Sequence, residues 1–389
     1  MGTRKKNSQI AVALVFLAAV VALSTPLGQE PASRQLPAGA NADWRPNNPA
    51  RGVQFVGSRA CAECHEAQAA SQLKTSMARA MSSGDACEIL RTHSKLTYKN
   101  GKYQYQIRRD GGRSLYTVSN GTETISAPVP WCFGRGEGGQ TYVLQYKDKF
   151  YEGRVSFFTD IQGLDLTMGH KPDPPATLEA ALGREMPMPE TRQCFGCHTT
   201  NSLDGSTLQL DRLMEGVTCE ACHGPGEKHV AAMKRGDLSQ KHIFNPIRLS
   251  TEELSNFCGS CHRTWEQVAL MKLRGVANVR FQPYRLTNSK CYDSEDKRIS
   301  CLGCHDPHES RKHDAAFYDS KCTACHRAPS QKPSASQPAQ PDSRRAPLCP
   351  VGKAKCATCH MPKYEIPTSH LTFSDHHIRV VRPGEPYPN

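Results

Sequence analysis

Apolar and aromatic residues are scarce in this sequence. Hydrophobic side chains make up 38% of its 389 residues and aromatic side chains only 7%, which is lean for a chain long enough to form two or three domains. Something other than aliphatic side chains is therefore expected to fill part of the interior. No segment after residue 24 is apolar for long enough to cross a bilayer. We thus expect a mature chain that is soluble or held only by its N-terminus.

The N-terminus has the pattern of a secretory signal. Three cations beginning at Arg4 precede the apolar run Ile10–Leu23, and small residues flank a cut before Thr25. The run is short for a membrane span, which favours cleavage over an uncleaved N-terminal anchor, the alternative that stays open. The sequence thus predicts a signal peptide over 1–24, a flexible leader over 25–56, and a periplasmic or otherwise exported protein.

The net charge is +12, and removal of the signal peptide takes away three cations and leaves +9. A basic balance can indicate a surface that binds nucleic acid or membranes. The cofactor predicted below carries two carboxylates per copy, however, and seven copies would add up to fourteen negative charges. Nucleic-acid binding is therefore not predicted.

Cysteine, by contrast, is abundant, with 18 copies, far above the usage of a typical cytosolic enzyme. Fourteen of them belong to seven copies of Cys-x-x-Cys-His, and every Cys-x-x-Cys in the chain is followed by histidine. Numbered along the chain, the motifs are one (Cys61, Cys64, His65), two (Cys194, Cys197, His198), three (Cys219, Cys222, His223), four (Cys258, Cys261, His262), five (Cys301, Cys304, His305), six (Cys322, Cys325, His326) and seven (Cys356, Cys359, His360).

The spacing of this motif suits the attachment of haem. Two thiols can form thioethers with the vinyl groups on one edge of a porphyrin, and the next residue then places an imidazole on the iron. Zinc ribbons also use Cys-x-x-Cys pairs but need no histidine behind the second cysteine, and a thioredoxin-like motif would occur once. The sequence therefore predicts seven covalently bound haem c groups, with the motif histidines as proximal iron ligands.

The motifs are unevenly distributed along the chain. Six of them lie between Cys194 and His360, which is too dense for separate hydrophobic cores, so we expect the haems to form the core. The predicted fold class is mainly α and irregular, a haem-packed multihaem cytochrome c with an inserted small antiparallel β module. We expect a first haem segment (57–94), the β module (95–170), a five-haem core (190–327), a Pro/Ser-rich linker (328–347) and a last haem segment with a histidine-containing tail (348–389).

Local patterns supply the secondary structure. Strong helix formers over 66–81 predict a helix after motif one, and period-two alternation around an Asn100-Gly101 turn predicts a hairpin. The stretch Gly134–Gly139 matches the dinucleotide-binding glycine pattern, but a strand follows it rather than a helix, so we predict a β loop. Further predicted strands are Leu115–Val118, Thr141–Tyr146 and Phe150–Phe158.

Two histidines outside the motifs follow a motif closely. His229 comes six residues after His223, and His308 comes three residues after His305. A chain this short would have to wrap around the porphyrin edge to reach the opposite face of the same haem. We therefore expect both histidines to ligate neighbouring haems and to hold the stack together.

Three segments carry a family resemblance: VTCEACHGPGEKHV, CLGCHDPH and the tail CHMPKYEIPTSHLTFSDHHI. They resemble multihaem cytochromes related to the nitrifier tetrahaem cytochrome of the five-fifty-four type, whose superfamily includes hydroxylamine oxidoreductase and octahaem tetrathionate reductase. The resemblance covers roughly 57–90 and 190–389 and leaves the β module without an assigned chemistry. It implies distal ligands supplied in trans by His229, His308, His376 and His370.

The remaining ligands are open. Relatives often place the distal histidine of the first haem in the helix after its motif, where this chain has Met77 instead. Met77 is therefore either an axial ligand, which would raise the potential of that haem, or an ordinary buried methionine. Five other histidines are either further ligands or surface residues: His93, His170, His242, His313 and His377.

Four cysteines lie outside the motifs, and in an oxidising compartment an even number favours disulfides. Three pairings are compatible with four cysteines, and free thiols are a further alternative. The favoured pairing joins Cys87 to Cys132 across the β module and Cys291 to Cys349 in the haem region.

Three functions fit these features. An electron carrier would have six-coordinate irons, mostly with two histidines each, and would pass electrons between redox partner proteins, with a membrane or outer-membrane complex as one setting. A multihaem oxidoreductase would keep one haem open for a small nitrogen or sulfur compound, although no Cys-x-x-Cys-Lys motif occurs. A structural role would dock the β module to a larger assembly. The ample supply of histidines favours the carrier, and no catalytic residues are predicted.

Overall fold

The computed structural model describes residue 46 and residues 54–135, 138–326, 349–382 and 384–388. The predicted signal peptide, most of the leader and the 328–347 linker lie outside these residues. Within the described part, no helix is long and apolar enough to cross a membrane.

Strands dominate the first half of the described chain. The strands of the whole described chain, including two near its C-terminal end, are β1 (Met81–Ser83), β2 (Lys95–Asn100), β3 (Tyr103–Asp110), β4 (Arg113–Ser119), β5 (Thr124–Pro128), β6 (Trp131–Phe133), β7 (Thr141–Tyr146), β8 (Lys149–Gly153), β9 (Val155–Phe158), β10 (Gly163–Leu166), β11 (Gly183–Met186), β12 (Thr199–Thr200), β13 (Leu203–Asp204), β14 (Thr207–Leu208), β15 (Met214–Glu215), β16 (Lys363–Glu365) and β17 (Thr372–Ser374).

The first sheet is a four-stranded antiparallel meander, in the order β2-β3-β4-β5. The predicted Asn100-Gly101 turn connects β2 to β3, and Gly101 has φ +58°, in the left-handed region that favours glycine. A Cβ at this position would also meet the ring of Pro174. Alternate residues of β3 are buried, so the period-two prediction is confirmed here.

The second sheet extends beyond the predicted boundaries of the β module. Its order is β1-β6-β7-β8-β11, all antiparallel, so it takes strands from both sides of 95–170. The predicted strand over Thr141–Tyr146 is confirmed, whereas Phe150–Phe158 divides into β8 and β9 at Arg154. Arg154 is buried, and one of its terminal nitrogens donates to the carbonyls of Lys171 and Asp173.

The β module has a conventional core that is rich in tyrosine. Tyr103, Tyr105, Tyr116 and Tyr142 are almost completely buried and pack with aliphatic residues of the same cluster. The Tyr116 hydroxyl oxygen accepts a hydrogen bond from the backbone N–H of Val155 at 3.1 Å. A second cluster of six buried residues joins the five-stranded sheet to Phe195 of motif two. The region around motifs three to five is different, because its cluster contains only four buried residues: Phe244, Leu249, Leu254 and Phe257.

Helices in the described chain are short. They are α1 (Ser58–Ala62), α2 (Glu66–Gln72), α3 (Glu88–Thr92), α4 (Leu178–Leu182), α5 (Met188–His198), α6 (Cys219–His223), α7 (Glu227–Lys234), α8 (Thr251–His262), α9 (Trp265–Leu270), α10 (Gln282–Thr287), α11 (Cys301–Cys304), α12 (Ala315–Thr323) and α13 (Cys356–His360), with 3₁₀ turns at Pro246–Arg248, Val276–Arg280 and Lys297–Ile299.

The helix predicted over 66–81 is therefore too long. It ends at Gln72, whose side-chain amide donates to the carbonyl of Val217. The Thr75 hydroxyl donates to the Gln72 carbonyl and accepts from the Ala78 N–H, which replaces the next helical turn by a tighter one. Contacts with the segment before motif three thus override the helix propensity.

Candidate haem sites

Each described motif lies in or next to a short helical turn. Motif two closes α5 and motif four closes α8, which begins with a capping box between Ser250 and Glu253. In motifs one, five and six the histidine N–H donates to the carbonyl of the first cysteine, at 2.8, 2.9 and 3.0 Å. This one-turn link brings both thiols and the imidazole to the same side of the backbone, as the haem attachment predicted from the spacing requires.

Three motif histidines have a second histidine ring opposite them. His65 and His229 have ring centroids 6.4 Å apart, with planes inclined by 24°. The centroids of His223 and His308 are 5.9 Å apart with planes inclined by 10°, and those of His305 and His376 are 6.2 Å apart with planes inclined by 38°.

These separations suit a shared iron. A bond of about 2 Å between a metal and an imidazole nitrogen on each side places two ring centroids roughly 6 Å apart. In all three pairs the second histidine comes from a different motif segment or from the tail, as expected for ligands in trans. The chain that follows motif three thus faces motif one, and the chain that follows motif five faces motif three.

Hydrogen bonds orient these imidazoles. The Nδ1 atoms of His223, His360 and His376 lie 2.9, 2.9 and 3.0 Å from the backbone carbonyls of Phe244, Arg379 and Ser374. A ligand histidine usually donates one ring N–H to such an acceptor, which leaves the other nitrogen for the metal. His198 and His229 have the same arrangement, with Nδ1 3.2 and 2.6 Å from the carbonyls of Ala80 and Lys241.

The electrostatic environment keeps several of these side chains neutral, which is the form that binds a metal. Burial lowers the pKa of His198, His262 and His305, and it lowers the pKa of His376 to about 4. His262 and His305 nevertheless retain accessible surface.

Neighbouring motifs touch through their thiols. The side chains of Cys61 and Cys219 are close enough to shift each other's pKa and so join motif one to motif three. In the same way Cys197 meets Cys261, Cys258 meets Cys301, and Cys322 meets Cys356. Weaker electrostatic contacts join Cys222 to Cys261 and Cys304 to Cys322. The motifs therefore form a line in the order one, three, four, five, six, seven, with motif two beside motif four.

Glu220, in the variable part of motif three, connects motif one to motif three. Its carboxylate is buried and accepts from the N–H groups of Val56, Gly57 and Gly226, at 2.9, 2.7 and 2.7 Å. Val56 and Gly57 lead into α1 and motif one, whereas Gly226 begins the α7 segment that carries His229. One side chain thus sets the position of both histidines of the first pair.

The tail that carries His376 is held by a buried ion pair. Asp375 accepts from Arg285 of α10 at 2.8 and 2.9 Å and from Arg379 at 2.7 Å. The Ser289 hydroxyl donates to the His376 carbonyl at 3.1 Å. Sequence reasoning missed Glu220, Arg285 and Asp375. The only signal was a carboxylate directly beside a predicted ligand or inside a motif.

His370, an expected ligand, and Met77, an open alternative, have other surroundings. His370 places Nδ1 2.8 Å from Asp160 and Nε2 3.0 Å from Asp165, so carboxylates occupy both ring nitrogens and neither is left for iron. This geometry differs from the distal role that the resemblance implied. Met77 lies half-buried in the turn after α2, and its carbonyl accepts from Ala80 and Val217. Because His229 faces His65, a methionine ligand for the first haem is not required.

The other motif histidines have different surroundings. The ring of His198 meets the edge of Phe133, with centroids 5.3 Å apart. Among the described residues, no second histidine ring stacks opposite His198 or His262. His326 donates its backbone N–H to Cys322, and Arg379 holds His360 through its carbonyl.

All 18 cysteines carry free thiols in the structure. Cys87 and Cys132 are nonetheless buried neighbours that interact by a hydrogen bond, so a disulfide between them stays a prediction. Cys291 and Cys349 are both exposed. Cys291 has Cys322 and Cys325 among its electrostatic neighbours, and nothing in the described contacts joins it to Cys349.

Comparisons with known proteins agree with the motif chemistry. Residues 172–224 match the family model described as cytochrome c554 and c-prime. The chain is 25% identical over 190 residues to the multiheme cytochrome MtrA of Shewanella baltica (strain OS185), which covers 46% of this chain and 47% of that protein. The chain thus spans about half the length of the curated relative that it matches.

Among solved structures, the outer cell wall cytochrome OcwA aligns over 84% of this chain and 80% of its own, with 16% identity and a TM-score of 0.44. That similarity is too low to carry an argument about the site. The repeated Cys-x-x-Cys-His motif, the family match and the similarity to MtrA together identify the chain as a multihaem c-type cytochrome with covalently bound haem c.

Proposed function

We propose that this protein is an exported seven-haem cytochrome that passes single electrons along a line of closely spaced haems. Haem c, when bound, supplies an iron that accepts and donates one electron. The chain supplies the spacing, because thiols of consecutive motifs in the line are in contact or in electrostatic reach. The observation that carries the proposal is the set of three histidine pairs with centroids 5.9 to 6.4 Å apart.

We assign the pairs as axial ligands. His65 and His229 would ligate haem one, and His223 and His308 would ligate haem three. His305 and His376 would then ligate haem five. An iron with two histidines has no free site for a substrate, so these three haems would act only in electron transfer.

A second function has one specific observation in its favour. Histidine pairs are formed at motifs one, three and five, whereas the described residues place no histidine ring opposite His198 or His262. An open iron at motif two or four would allow a small nitrogen or sulfur compound to bind. The chain would then be an oxidoreductase fed by the remaining haems.

The proposed carrier needs a donor and an acceptor. Redox partner proteins are the expected partners, with a membrane or outer-membrane electron-transfer complex as one setting. Export would supply the oxidising compartment in which haem c is attached, and the N-terminal pattern over 1–24 supports it.

The test begins with the oxidised, mature holoprotein. A pyridine haemochrome assay should give seven haems per chain, and electron paramagnetic resonance should show low-spin iron for the bis-histidine haems. A carrier would show only low-spin signals that nitrite and hydroxylamine leave unchanged, and carbon monoxide would not bind the reduced protein. A high-spin fraction that responds to these ligands would replace the carrier by the oxidoreductase. Fewer than seven haems would contradict the proposed stoichiometry.

A further inference from the structure

Two arginines next to motifs two and four lack an acidic partner. Arg263 follows His262 directly, and its two terminal nitrogens both lie 3.3 Å from the neutral Gln193 side chain. Arg280 reaches only the thioether of Met168, at 3.5 Å, and packs over the Phe281 ring. No carboxylate of the described residues lies within ion-pair distance of either guanidinium.

Arg280 is also incompletely hydrogen-bonded, although its side chain is half-buried. Its Nε atom has no hydrogen-bond partner in the structure, and burial lowers its pKa, with Arg263 repelling it further and Glu152 opposing this effect. A half-buried cation without an acidic partner is destabilising, and so is a buried nitrogen whose hydrogen bond is not made. An anion at this position would remove both costs.

The nearest acidic groups are already committed. Glu152 accepts from Arg184 at 2.9 and 3.3 Å, and Glu190 accepts from the same guanidinium at 2.7 Å. Together with these carboxylates, the three guanidiniums of Arg184, Arg263 and Arg280 form a charged cluster. Three positive charges against two negative charges leave one positive charge. His170 adjoins the same carboxylate, with Nε2 3.5 Å from Glu152, so Glu152 already has two basic neighbours.

The backbone conformation of Arg263 directs its side chain toward motif two. Arg263 has φ +69°, a left-handed conformation that is uncommon for a residue other than glycine. It follows α8 directly and turns the chain so that its side chain reaches Gln193 of α5. The guanidinium thereby lies within electrostatic reach of Cys194, Cys197 and Cys261, which belong to motifs two and four.

We propose that Arg263 and Arg280 form a binding site for one oxyanion group between motifs two and four. The site rests on the proposed haem attachment, since its position is defined by those two motifs. A planar guanidinium binds carboxylate or a related oxyanion through paired N–H donors. Two sources can supply this chemistry: a propionate of haem two or four, or a free oxyanion that approaches an open iron.

The test uses full-length holoprotein with Arg280→Gln, and Arg274→Gln as a matched control. Arg274 is an exposed cation six residues earlier in the same segment, so it tests the loss of charge without the buried site. A haemochrome assay first establishes that the wild type carries seven haems, which separates a failure of the haem proposal from a failure of this one. If Arg280→Gln loses haem, the same comparisons are made with Arg280→Lys, which keeps the charge but loses the paired donors.

Resonance Raman spectroscopy and redox titration examine the propionate source. If a propionate occupies the site, Arg280→Gln shifts the propionate bending bands and lowers the midpoint potential of one haem, because a cation that favours the reduced state has been removed. Arg274→Gln should change neither. Nitrite should leave the spectra of all three proteins unchanged in this case.

Nitrite titration of the oxidised protein examines the free oxyanion. If nitrite occupies the site, it perturbs the wild-type spectrum saturably, and Arg280→Gln weakens its binding by about tenfold or more, the effect of losing a charge-assisted hydrogen bond. The proposal is overturned if Arg280→Gln and Arg274→Gln have the same Raman bands, potentials and response to nitrite.

Discussion

Arg285 and Asp375, ninety residues apart in the chain, form a two-bond ion pair in which both side chains are almost completely buried, with 1% and 0% of their surfaces exposed. Arg285 also donates to the Pro388 carbonyl at 3.0 Å and stacks on Tyr387. The pair therefore joins α10 to the tail on both sides of His376. It also fixes the backbone from which that imidazole faces His305.

Breaking this pair should release His376. Asp375→Asn leaves the Arg285 charge buried and unpaired, and we expect a loss of about 3–5 kcal/mol in stability, seen as a lower thermal midpoint, together with a high-spin signal from haem five. Asp110→Asn, which breaks an exposed ion pair with Arg108, should cost at most about 1 kcal/mol and leave the iron spectrum unchanged. A low-spin Asp375→Asn protein would show that the pair does not position the ligand.

Glu220 should be necessary for the first haem site. Glu220→Gln keeps the size of the side chain but removes the charge that accepts three backbone N–H groups, so we expect a cost of about 1.5–3 kcal/mol and incomplete low-spin coordination at haem one. Thermal unfolding and electron paramagnetic resonance measure the two effects. The exposed Glu365 provides the control through Glu365→Gln, and equal behaviour of the two variants would contradict the role of Glu220.

Removal of one distal histidine should open one iron. We expect His229→Ala to convert a single haem to the high-spin state, which then binds carbon monoxide when reduced, because the opposite side of His65 becomes vacant. Six of the seven haems should keep their spectra. The exposed His313 serves for comparison, and His313→Ala should leave every haem as in the wild type. A second signal altered in His229→Ala would mean that the ligand pairs are assigned incorrectly.

The contact between the tail and the β module should depend on pH. Partial burial lowers the pKa of His370, but hydrogen bonds and charge from Asp160 and Asp165 outweigh it and raise the pKa above its ordinary value. A raised pKa in the folded protein stabilises it fully below the unfolded value of about 6.5. That stabilisation is lost as the pH rises through the folded value. The thermal midpoint of the wild type should therefore fall more between pH 6 and 8 than that of His370→Gln. Equal changes of the thermal midpoint with pH in the two proteins would show that the His370 contacts do not contribute to stability.

The buried thiols Cys87 and Cys132 should form a disulfide in the oxidising compartment that the proposed export would supply. They lie side by side beneath Gln140, whose side-chain oxygen is 2.9 Å from the Cys87 sulfur. The mass of the unreduced holoprotein should be two hydrogens lower than that of the reduced form. Replacing both by serine should cost about 2–4 kcal/mol. If reduction leaves the mass unchanged, the two cysteines are neighbouring thiols and the predicted disulfide is wrong.

Short-range features of this chain could be predicted from its sequence, whereas long-range pairings could not. The haem motifs depend on five consecutive residues, and strand β7 on its own alternation and turns. Which of His370 and His376 faces a motif histidine depends instead on partners more than eighty residues away. Asp165 binds His370, and Arg285 binds Asp375, the residue before His376. The end of α2 at Gln72 depends in the same way on Val217. Propensity carries no information about such partners.

The two kinds of interior have a consequence for maturation. The β module packs on its own tyrosines and aliphatic side chains, so its core can assemble from the polypeptide alone. The motif region has few buried apolar residues of its own, and its histidines face one another across space that haem would fill. A newly made chain would thus contain one segment able to fold at once and another that stays accessible for haem attachment. Folding of the second segment would then be completed by covalent chemistry.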